Sequence, residues 1–421
     1  MAGPFLDRDR ASRLMAASGL DALVISEPEI FTYATGVSPG VPALFRRAGA
    51  AFALVPADPA LPAAAVIGDL YRDNFLARSP IQDVATHPIW IETVDVTGLL
   101  AGAGSNRPIE ELVREAWSAS GRPADFARPA TFDLQASLKA LKGLLAGRGL
   151  AAARLGFDLD FVPANDLAAI RLALPAARIA DGSPVLARLL MVKAPGEIER
   201  LRLGAALAEA GIAAAMGQVL PGQGPEELRA LFREGVRQEA LRRAVPQPGQ
   251  TWEYIAVGPD PWSPAGRTGP GAAIKIDVGC VIDGYSSDSS RNFVVGTPSA
   301  HQRRVHEAIE AAFAAGLAEM KPGNPIAAIH RAATAEMHRQ GFQGYSRGHF
   351  GHGIGYSIFS EQWPFIAADA DVPLEPNTVL AFEIPFYLNG VGAFNLEDQI
   401  LVTPTGHESM NHLARGLVQV G

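Results

Sequence analysis

The stretch AAIKIDVGCVIDGYSSDSSRNFVVG, residues 272–296, decides the fold of the C-terminal half, because it has the pattern of an acid-bearing β-hairpin. β-Branched and aromatic residues stand on both sides of Asp283-Gly284. Asp-Gly favours a two-residue type I′ turn, in which both central residues need positive φ. The sequence therefore predicts two antiparallel strands joined at this dipeptide.

This hairpin brings two aspartates together. A two-residue loop places Gly279 opposite Asp288, and Asp277 shares a face with Gly279 because side chains alternate along a strand. The two carboxylates are then diagonal neighbours, roughly 7 Å apart at Cβ. Acids this close repel one another unless a cation or a proton lies between them. The alternative is that one or both point to solvent as ordinary acids of a strand edge.

A second hairpin, NTVLAFEIPFYLNGVGAFNLEDQILVTPTG at 377–406, repeats the arrangement with glutamates. Glu383 lies in a very apolar strand, where a lone carboxylate is costly. A strict two-residue loop at 389–390 would put Glu397 on the opposite face, so convergence requires an odd loop or a bulge. We predict one of these irregularities. Asp398 is the alternative to Glu397 as the acid that converges with Glu383. If it is not that acid, it faces solvent or forms hydrogen bonds that support the site.

The stretch RGHFGHGIGYSIFSE, residues 347–361, supplies two histidines three positions apart. In an extended segment, positions three apart face opposite ways. We therefore expect that His349 and His352 do not both bind the same metal ions. A lone HxxH pattern does not say which of them has a chemical role.

Bulk properties favour an ordinary globular protein. With 421 residues and 48% hydrophobic residues, the chain is expected to form two domains. The net charge of −8 disfavours nucleic acid or an anionic membrane as partner. No apolar run approaches the ~18 residues of a membrane span, and the N-terminus lacks the apolar core of a signal peptide. The single cysteine, Cys280, permits no intrachain disulfide, which agrees with a cytoplasmic location.

The pattern along the chain divides near Lys193. The first half predicts alternating helices and strands, with a helical stripe ending at Gly19 and a buried strand at 22–25. Further predicted elements are the strands AAFALVPA, AAAVIGD and IWIETVDV and the helix LQASLKALKGLLAGRG. In the second half, long helices are predicted at about 196–217, 225–243, 301–319 and 325–340.

Two aspartates eleven apart, the GHGIG histidine, a glutamate in an apolar strand and a final LED, in that order, resemble the pita-bread metallopeptidase family. RLMAASGLDALVISEPEIFTYATG and KAPGEIERLRLGAALAEAGI resemble its creatinase, prolidase and aminopeptidase P branch. The resemblance implies a creatinase-like α/β domain at 1–190 and an α+β pita-bread catalytic domain at 191–421.

Five metal ligands are implied by this resemblance: Asp277, Asp288, His352, Glu383 and Glu397. In the family, the equivalent of Asp277 is bidentate to one metal, those of Asp288 and Glu397 bridge both, and those of His352 and Glu383 complete the other site. Four carboxylates would offset two divalent cations and leave room for a bridging hydroxide. The oxygen-rich set favours Mn²⁺ over Co²⁺, Zn²⁺ or Fe²⁺.

The implied reaction is hydrolysis of an amide C–N bond, in which the bridging hydroxide attacks the carbonyl and Glu383 shuttles the proton to the leaving nitrogen. The substrate is then a small peptide, foremost one with an Xaa-Pro bond. The family also implies a homodimer.

Several positions depart from the proline-specific pattern. Gly348 stands where a histidine is usual, with His349 one step displaced, and Phe359 and Asn395 replace a histidine and an arginine. His349, Phe359 and Trp262 are the candidate substrate contacts, and His349 is also a candidate catalytic group. These departures keep a second function open, hydrolysis of a small non-proline amide by an ectoine hydrolase-like or creatinase-like enzyme. A catalytically inactive binding protein is the third alternative.

Overall fold

The structure, a computed structural model, describes residues 6–100, 106–245, 250–357 and 361–421. The chain divides into two compact units, the first ending at Leu186 and the second comprising Ala187–Gly421. Among the helices of the described ranges, none combines the length and the apolar character that a membrane span requires.

The first unit is built on a six-stranded mixed sheet in the order β4-β3-β2-β1-β5-β6, in which β1 pairs antiparallel with β2 and parallel with β5. Its elements are α1 (Arg8–Ala17), β1 (Ala22–Ile25), α2 (Pro28–Thr35), β2 (Phe52–Pro56), β3 (Ala64–Gly68), α3 (Arg72–Arg78), β4 (Asp83–His87), α4 (Ile109–Ala119), α5 (Leu134–Ala146), β5 (Arg154–Phe157), α6 (Ala164–Ala173) and β6 (Arg178–Asp181). The predicted alternation of helices and strands is confirmed.

One predicted strand of this unit is wrong. The segment IWIETVDV at 89–96 forms no strand; the edge strand β4 lies just before it, and only Ile89 makes an isolated bridge, to Phe132. Two of its apolar residues pack locally: Ile89 is buried, and the Trp90 ring lies edge-on to Phe45 at a centroid distance of 5.4 Å. A short apolar run does not by itself distinguish a strand from a packed loop.

The second unit contains a ten-stranded sheet whose main path is β12-β11-β13-β14-β10-β8-β7. After α7 (Ser183–Met191), its elements are α8 (Pro195–Met216), α9 (Pro225–Arg242), β7 (Thr251–Val257), β8 (Ala273–Ile282), β9 (Tyr285–Ser286), β10 (Ser289–Val295), α10 (Ala300–Ala318), α11 (Ile326–Arg339), β11 (His349–Gly353), β12 (Gln362–Ala367), β13 (Val379–Leu388), β14 (Gly392–Thr403), β15 (Gly406–Ser409) and β16 (Val418–Val420). The four long helices predicted from the sequence are confirmed to within one or two residues.

Local signals explain where these helices begin. Pro195 occupies the first turn of α8, and the Glu197 carboxylate accepts a hydrogen bond from the Ala194 amide at 2.8 Å. This contact satisfies one of the amides that a helix start leaves unpaired. Farther along, α8 and α9 approach closely at Gly211, where a Cβ would lie 2.6 Å from Phe232 Cδ2.

The four long helices cover one face of the large sheet. Phe313 of α10 packs on Phe382 of β13 with ring centroids 4.6 Å apart, and Phe232 of α9 belongs to the same apolar cluster as Ile276 of β8. Because side chains alternate along a strand, the neighbours of these core residues point to the other face. That second face carries the acids singled out in the sequence.

Candidate metal centre

The first hairpin has the predicted register. Asp283 and Gly284 form its loop with φ of 49° and 87°, and Ile282 lies opposite Tyr285. Farther from the loop, Asp277 lies opposite Ser290. Asp288, two positions before Ser290, is therefore the diagonal neighbour of Asp277 on the same face. The predicted relation of the two aspartates is therefore confirmed.

The second hairpin contains the predicted irregularity. Leu388 lies opposite Gly392, which leaves a three-residue loop, and this odd length places Glu383 directly opposite Glu397. The next residue, Asp398, is buried on the other face, where Arg291 and Arg415 donate hydrogen bonds to it. Of Glu397 and Asp398, it is thus Glu397 that faces Glu383. Asp398 stabilises the opposite face of the sheet through its bonds to the two arginines.

The two hairpins meet along one seam. Ser290 of β10 lies opposite Glu397 of β14. Two residues farther along β10 and β14, the backbone N–H of Asn395 donates to Asn292 Oδ1 at 2.9 Å. Asn292 Nδ2 in turn donates to the backbone carbonyl of Asn395 at 2.9 Å. These bonds fix the acids of both hairpins on one face of a continuous sheet.

His352 joins the acids from strand β11. Its Nε2 lies 3.6 Å from Asp288 Oδ2, and its Nδ1 lies 3.0 Å from the Gly353 carbonyl oxygen. Since a carbonyl can only accept, Nδ1 carries the proton, and the lone pair of the neutral ring is on Nε2. Burial lowers the pKa of His352, which favours this neutral form. An oriented imidazole with a free lone pair is typical of a metal ligand.

The side chains of Asp288, His352 and Glu397 form a three-membered cluster. Each offers one ligand atom, these atoms lie within 4.8 Å of one another, and all three residues are buried. Glu383 is at its edge, because Asn395 Nδ2 donates both to Glu383 Oε2 at 3.0 Å and to Glu397 Oε2 at 3.3 Å. The structure thus brings the predicted ligands to one face, with Asp277 and Glu383 flanking the compact three.

The electrostatics of the cluster suit a divalent cation. Burial, followed by the negative charges of Asp288, Glu383 and Asp277, raises the pKa of Glu397 well above its ordinary value. Carboxylates gathered in this way repel each other in the ionised state. A cation among them removes the repulsion, and carboxylate oxygens with one imidazole form a set that Mn²⁺, Fe²⁺, Co²⁺ or Zn²⁺ accept. The residues present therefore fit a metal ion.

Two cationic side chains of the site were missed by sequence reasoning. Lys275 Nζ donates to Asp277 Oδ2 at 2.8 Å and lies 5.4 Å from the centre of the Tyr387 ring. Arg347 donates through Nη2 to Glu383 Oε1 and through Nε to the His349 carbonyl at 2.6 Å. Burial alone would lower the pKa of Lys275, but Asp277 and Tyr387 raise it above its ordinary value, so the side chain stays charged. A signal for Lys275 existed, because period-two alternation puts it on the face of Asp277.

The expectation that His349 and His352 face opposite ways is wrong. Their rings lie 6.4 Å apart between centroids. The pairing register of β11 shifts between them, and Gly351 has φ of 116°, a conformation that favours glycine. This irregularity turns both rings toward the same region. His349 Nδ1 accepts a hydrogen bond from the Gly351 amide at 3.2 Å.

Of the other two predicted substrate contacts, Trp262 lies within the described residues. Trp262 is 75% exposed and lies edge-on to Tyr387 with ring centroids 5.2 Å apart. It is one of the residues around a pocket of about 330 Å³, together with Lys275 and Tyr254. Phe359 lies outside the described residues.

Solved structures share this fold along almost the whole chain. A prolidase from Pyrococcus horikoshii superposes with a TM-score of 0.72 at 18% identity, covering 97% of this chain and 99% of that one. An Xaa-Pro dipeptidase from Bacillus anthracis gives a TM-score of 0.74 at 19% identity over 98% and 99% of the two chains. The fold is therefore an α/β N-terminal domain followed by an α+β pita-bread domain, as predicted.

The sequence match is narrower. Residues 199–404, slightly less than half of the chain, match the model of Metallopeptidase family M24. An Xaa-Pro dipeptidase of Lactobacillus helveticus is 28% identical over 243 residues, 56% of this chain and 64% of that protein. An Xaa-Pro dipeptidase of Pyrococcus furiosus is 25% identical over 239 residues, 56% and 67% of the two chains. The match to the first of these relatives thus spans less than two thirds of its length.

Proposed function

We propose that the chain is a metal-dependent hydrolase of an amide C–N bond, and that an Xaa-Pro dipeptide is its first candidate substrate. The observation that carries the proposal is the convergence of three buried residues, with Asp277 and Glu383 beside them: Asp288 just before β10, His352 on β11 and Glu397 on β14. These five residues are the proposed ligands. Divalent cations held there supply Lewis-acid chemistry, which acidifies a water and polarises a carbonyl.

Glu383 is the proposed proton carrier. Arg347 and Asn395 donate one hydrogen bond to each of its oxygens, which holds the carboxylate in one orientation on the face of the cluster. From there it takes a proton from the attacking water and delivers it to the leaving nitrogen. A carboxylate that is fixed by two donors loses little orientational freedom when this transfer occurs.

His349 is the proposed contact to the substrate carbonyl. Because its Nδ1 accepts from the Gly351 amide, the neutral ring carries its proton on Nε2. That N–H is then a donor for a carbonyl oxygen or for the oxyanion that develops from it. Trp262 and Phe359 complete the proposed set of substrate contacts.

Support for an Xaa-Pro substrate comes from relatives named Xaa-Pro dipeptidase in Lactobacillus helveticus and Pyrococcus furiosus. The proposal includes Mn²⁺ as the preferred metal, a homodimer, and a cytoplasmic location in line with the single buried Cys280. It assigns catalysis to residues 191–421 and a creatinase-like domain to residues 1–190.

A small non-proline amide is the second candidate substrate, and Asn395 favours it. This residue stands where proline-specific members carry an arginine, and its amide is committed to Glu383 and Glu397. A neutral side chain bound to two carboxylates offers no positive charge to a substrate.

The test is hydrolysis by protein reconstituted with Mn²⁺. Xaa-Pro dipeptides, the matched Xaa-Ala dipeptides and small non-proline amides are assayed in parallel, with Glu383→Gln as the control for contaminating peptidases. Cleavage confined to Xaa-Pro bonds supports the first candidate. Cleavage of the small amides alone supports the second, and metal binding without cleavage of any of them overturns both.

A further inference from the structure

The first unit contains a pocket of about 470 Å³ whose wall includes none of the residues assigned to the metal centre. The start of α1, the loop between β2 and β3 and the segment before β4 surround it. Apolar side chains make up most of the wall, among them Val55, Leu61 and Ile81. A pocket of this size and composition is typical of sites that hold small molecules.

Arg8 places a cation in this apolar wall. Its Nη2 lies 3.4 Å from the Asp58 carbonyl oxygen and 3.3 Å from that of Leu61, and both distances exceed the ordinary range of an N–H···O bond. Its Nη1 is buried and has no hydrogen-bond partner among the described residues. Burial lowers the pKa of Arg8, and the charges of Asp58 and Asp9 offset this only in part. Within the described part of the chain, the guanidinium thus keeps unused donors and an incompletely balanced charge.

The acid in the same wall, Asp83, already has a cationic partner. Arg148 Nη2 donates to Asp83 Oδ2 at 2.6 Å, and Arg148 Nε donates to the Pro62 carbonyl at 2.9 Å. The Arg148 side chain is only 6% exposed, so the surrounding structure holds it in this pair. Because Arg148 balances the charge of Asp83, the charge of Arg8 is left to attract an anion.

The wall therefore suits a ligand with an anionic end and an apolar body. A carboxylate matches a guanidinium well, because its two oxygens accept two parallel N–H···O bonds. Such a pair would also satisfy a buried donor that is costly to leave without a partner. An aliphatic chain would then lie against Val55 and Ile81, which are nearly inaccessible to solvent and gain from contact with apolar groups.

We propose that this pocket is a binding site for a medium-chain aliphatic monocarboxylate. The carboxylate binds the Arg8 guanidinium, and the chain covers the apolar wall at Val55, Leu61 and Ile81. The inference does not rest on the proposed hydrolysis, since the bound carboxylate is a ligand of the first unit and contains no amide bond.

The experiment is calorimetric titration of the full-length protein with sodium octanoate. We expect one site per chain with a dissociation constant on the order of 1 mM or tighter, as for a well-seated ligand of this size. Octanamide has the same chain without the charge and should bind at least tenfold more weakly. Hexanoate lacks two methylene groups and should bind roughly tenfold more weakly than octanoate, because each buried methylene contributes to affinity.

Arg8→Met tests the contribution of the cation. The substitution removes the guanidinium and keeps an apolar side chain, so we expect it to weaken octanoate binding at least tenfold and to change octanamide binding less than twofold. Arg13→Met makes the same substitution at an exposed position of α1 and should leave both affinities unchanged. Circular dichroism checks the fold of Arg8→Met, and Arg8→Gln replaces it if the fold is lost.

Three results would each overturn the proposal. These are absence of octanoate binding by the wild type at millimolar concentrations, equal affinities for octanoate and octanamide, and an Arg8→Met variant that binds octanoate within twofold of the wild type. Equal affinities for hexanoate and octanoate would overturn the part played by the apolar wall.

The outcome is separate from that of the hydrolysis assay. Octanoate binding through Arg8 in a protein that cleaves no amide supports this site and overturns the proposed function. Cleavage of an amide by a protein that binds no octanoate supports the proposed function and overturns this site.

Discussion

Glu383 and Glu397 lie directly opposite each other on β13 and β14 and accept hydrogen bonds from a single amide, that of Asn395. Two carboxylates that face each other across a pair of strands destabilise the sheet. The shared donor offsets part of this repulsion and fixes the direction of one oxygen of each acid. Asn395 therefore orients the two glutamates, whichever substrate the centre accepts.

Replacement of Asn395 by leucine should loosen this arrangement. We expect the free energy of unfolding to fall by about 1–3 kcal/mol, because two buried carboxylates lose a donor. The affinity for Mn²⁺ should fall about 10–100-fold, as for other groups that orient metal ligands. Denaturant titration and calorimetry measure the two effects. Asn106→Leu, at an exposed position, is the control, and equal metal affinity of both variants would contradict the assignment.

Replacement of His352 by alanine should abolish metal binding at the proposed centre. The imidazole is the nitrogen donor of the three clustered side chains, and its loss leaves carboxylates alone. Because metal chemistry contributes several kcal/mol to the reaction, we expect kcat/KM to fall about 10³-fold or more. Elemental analysis and substrate kinetics provide the readouts. His301→Ala, exposed at the start of α10, serves for comparison, and retention of stoichiometric metal by His352→Ala would refute the role of this histidine.

Deletion of Ala393 should separate the two glutamates. It removes one residue of β14 between the three-residue loop and Glu397, so that Glu397 would move to the face that Asp398 now occupies. We expect loss of Mn²⁺ binding in a chain that keeps its helical circular dichroism. Deletion of Val391 is the matched control, because it shortens the loop itself, leaves Leu388 opposite Gly392 and should keep the metal. Normal metal binding by the Ala393 deletion would show that a bulge elsewhere restores the register.

The buried pair of Arg291 and Asp398 should be costly to break. Arg291 Nη2 donates to Asp398 Oδ1 at 2.7 Å, and the two side chains are 2% and 0% exposed. We expect Arg291→Met to lower the free energy of unfolding by about 3–5 kcal/mol, since it leaves a carboxylate partly uncompensated in the interior. Adding Asp398→Asn should recover part of the loss. Denaturant titration measures both, and a cost below about 1 kcal/mol for Arg291→Met would contradict the expectation.

The first unit should lose stability as the pH rises, because of Glu27. Burial, then the charges of Glu29 and Asp158, raises the pKa of Glu27 to about 7. The folded state therefore binds a proton more readily than the unfolded state, and this contribution is lost between about pH 4.5 and pH 7. The shift of about 2.5 pKa units corresponds to an effect on the order of 3 kcal/mol, at 1.36 kcal/mol per pKa unit.

Glu27→Gln tests this pH dependence. The variant should be more stable than the wild type at pH 8 and should show a flatter pH profile in denaturant titrations. Glu110→Gln, on the exposed surface of α4, should keep the wild-type profile. Identical slopes for Glu27→Gln and wild type would assign the pH effect to other groups.

Much of the site could be predicted because it depends on local rules. The Asp283-Gly284 turn sets the register of the first hairpin, and period-two alternation then places Asp277 and Asp288 on one face. The need for Glu383 and Glu397 to converge required an odd loop, which the structure contains. Strand alternation and turn chemistry act over a few residues, and a sequence displays them directly.

The features that were missed depend on irregular backbone or on distant contacts. The ring of His349 lies near that of His352 because β11 is irregular at Gly351, and a simple extended pattern excludes this. Arg347 reaches Glu383 from a position 36 residues away in the chain, a contact that no local pattern predicts. The segment at 89–96 has the composition of a strand but lies in a loop, where Ile89 and Trp90 pack locally.

The seam between β10 and β14 has a consequence for how the protein assembles. Each hairpin can form from neighbouring residues, whereas Ser290 and Glu397 are 107 positions apart and meet only when the two hairpins join. Contacts of such sequence separation form late, since closing the intervening chain costs entropy before they stabilise it. The proposed metal-binding cluster therefore requires both hairpins to be present and joined. Metal uptake should begin only after the central sheet has closed, which makes bound metal a marker of completed folding.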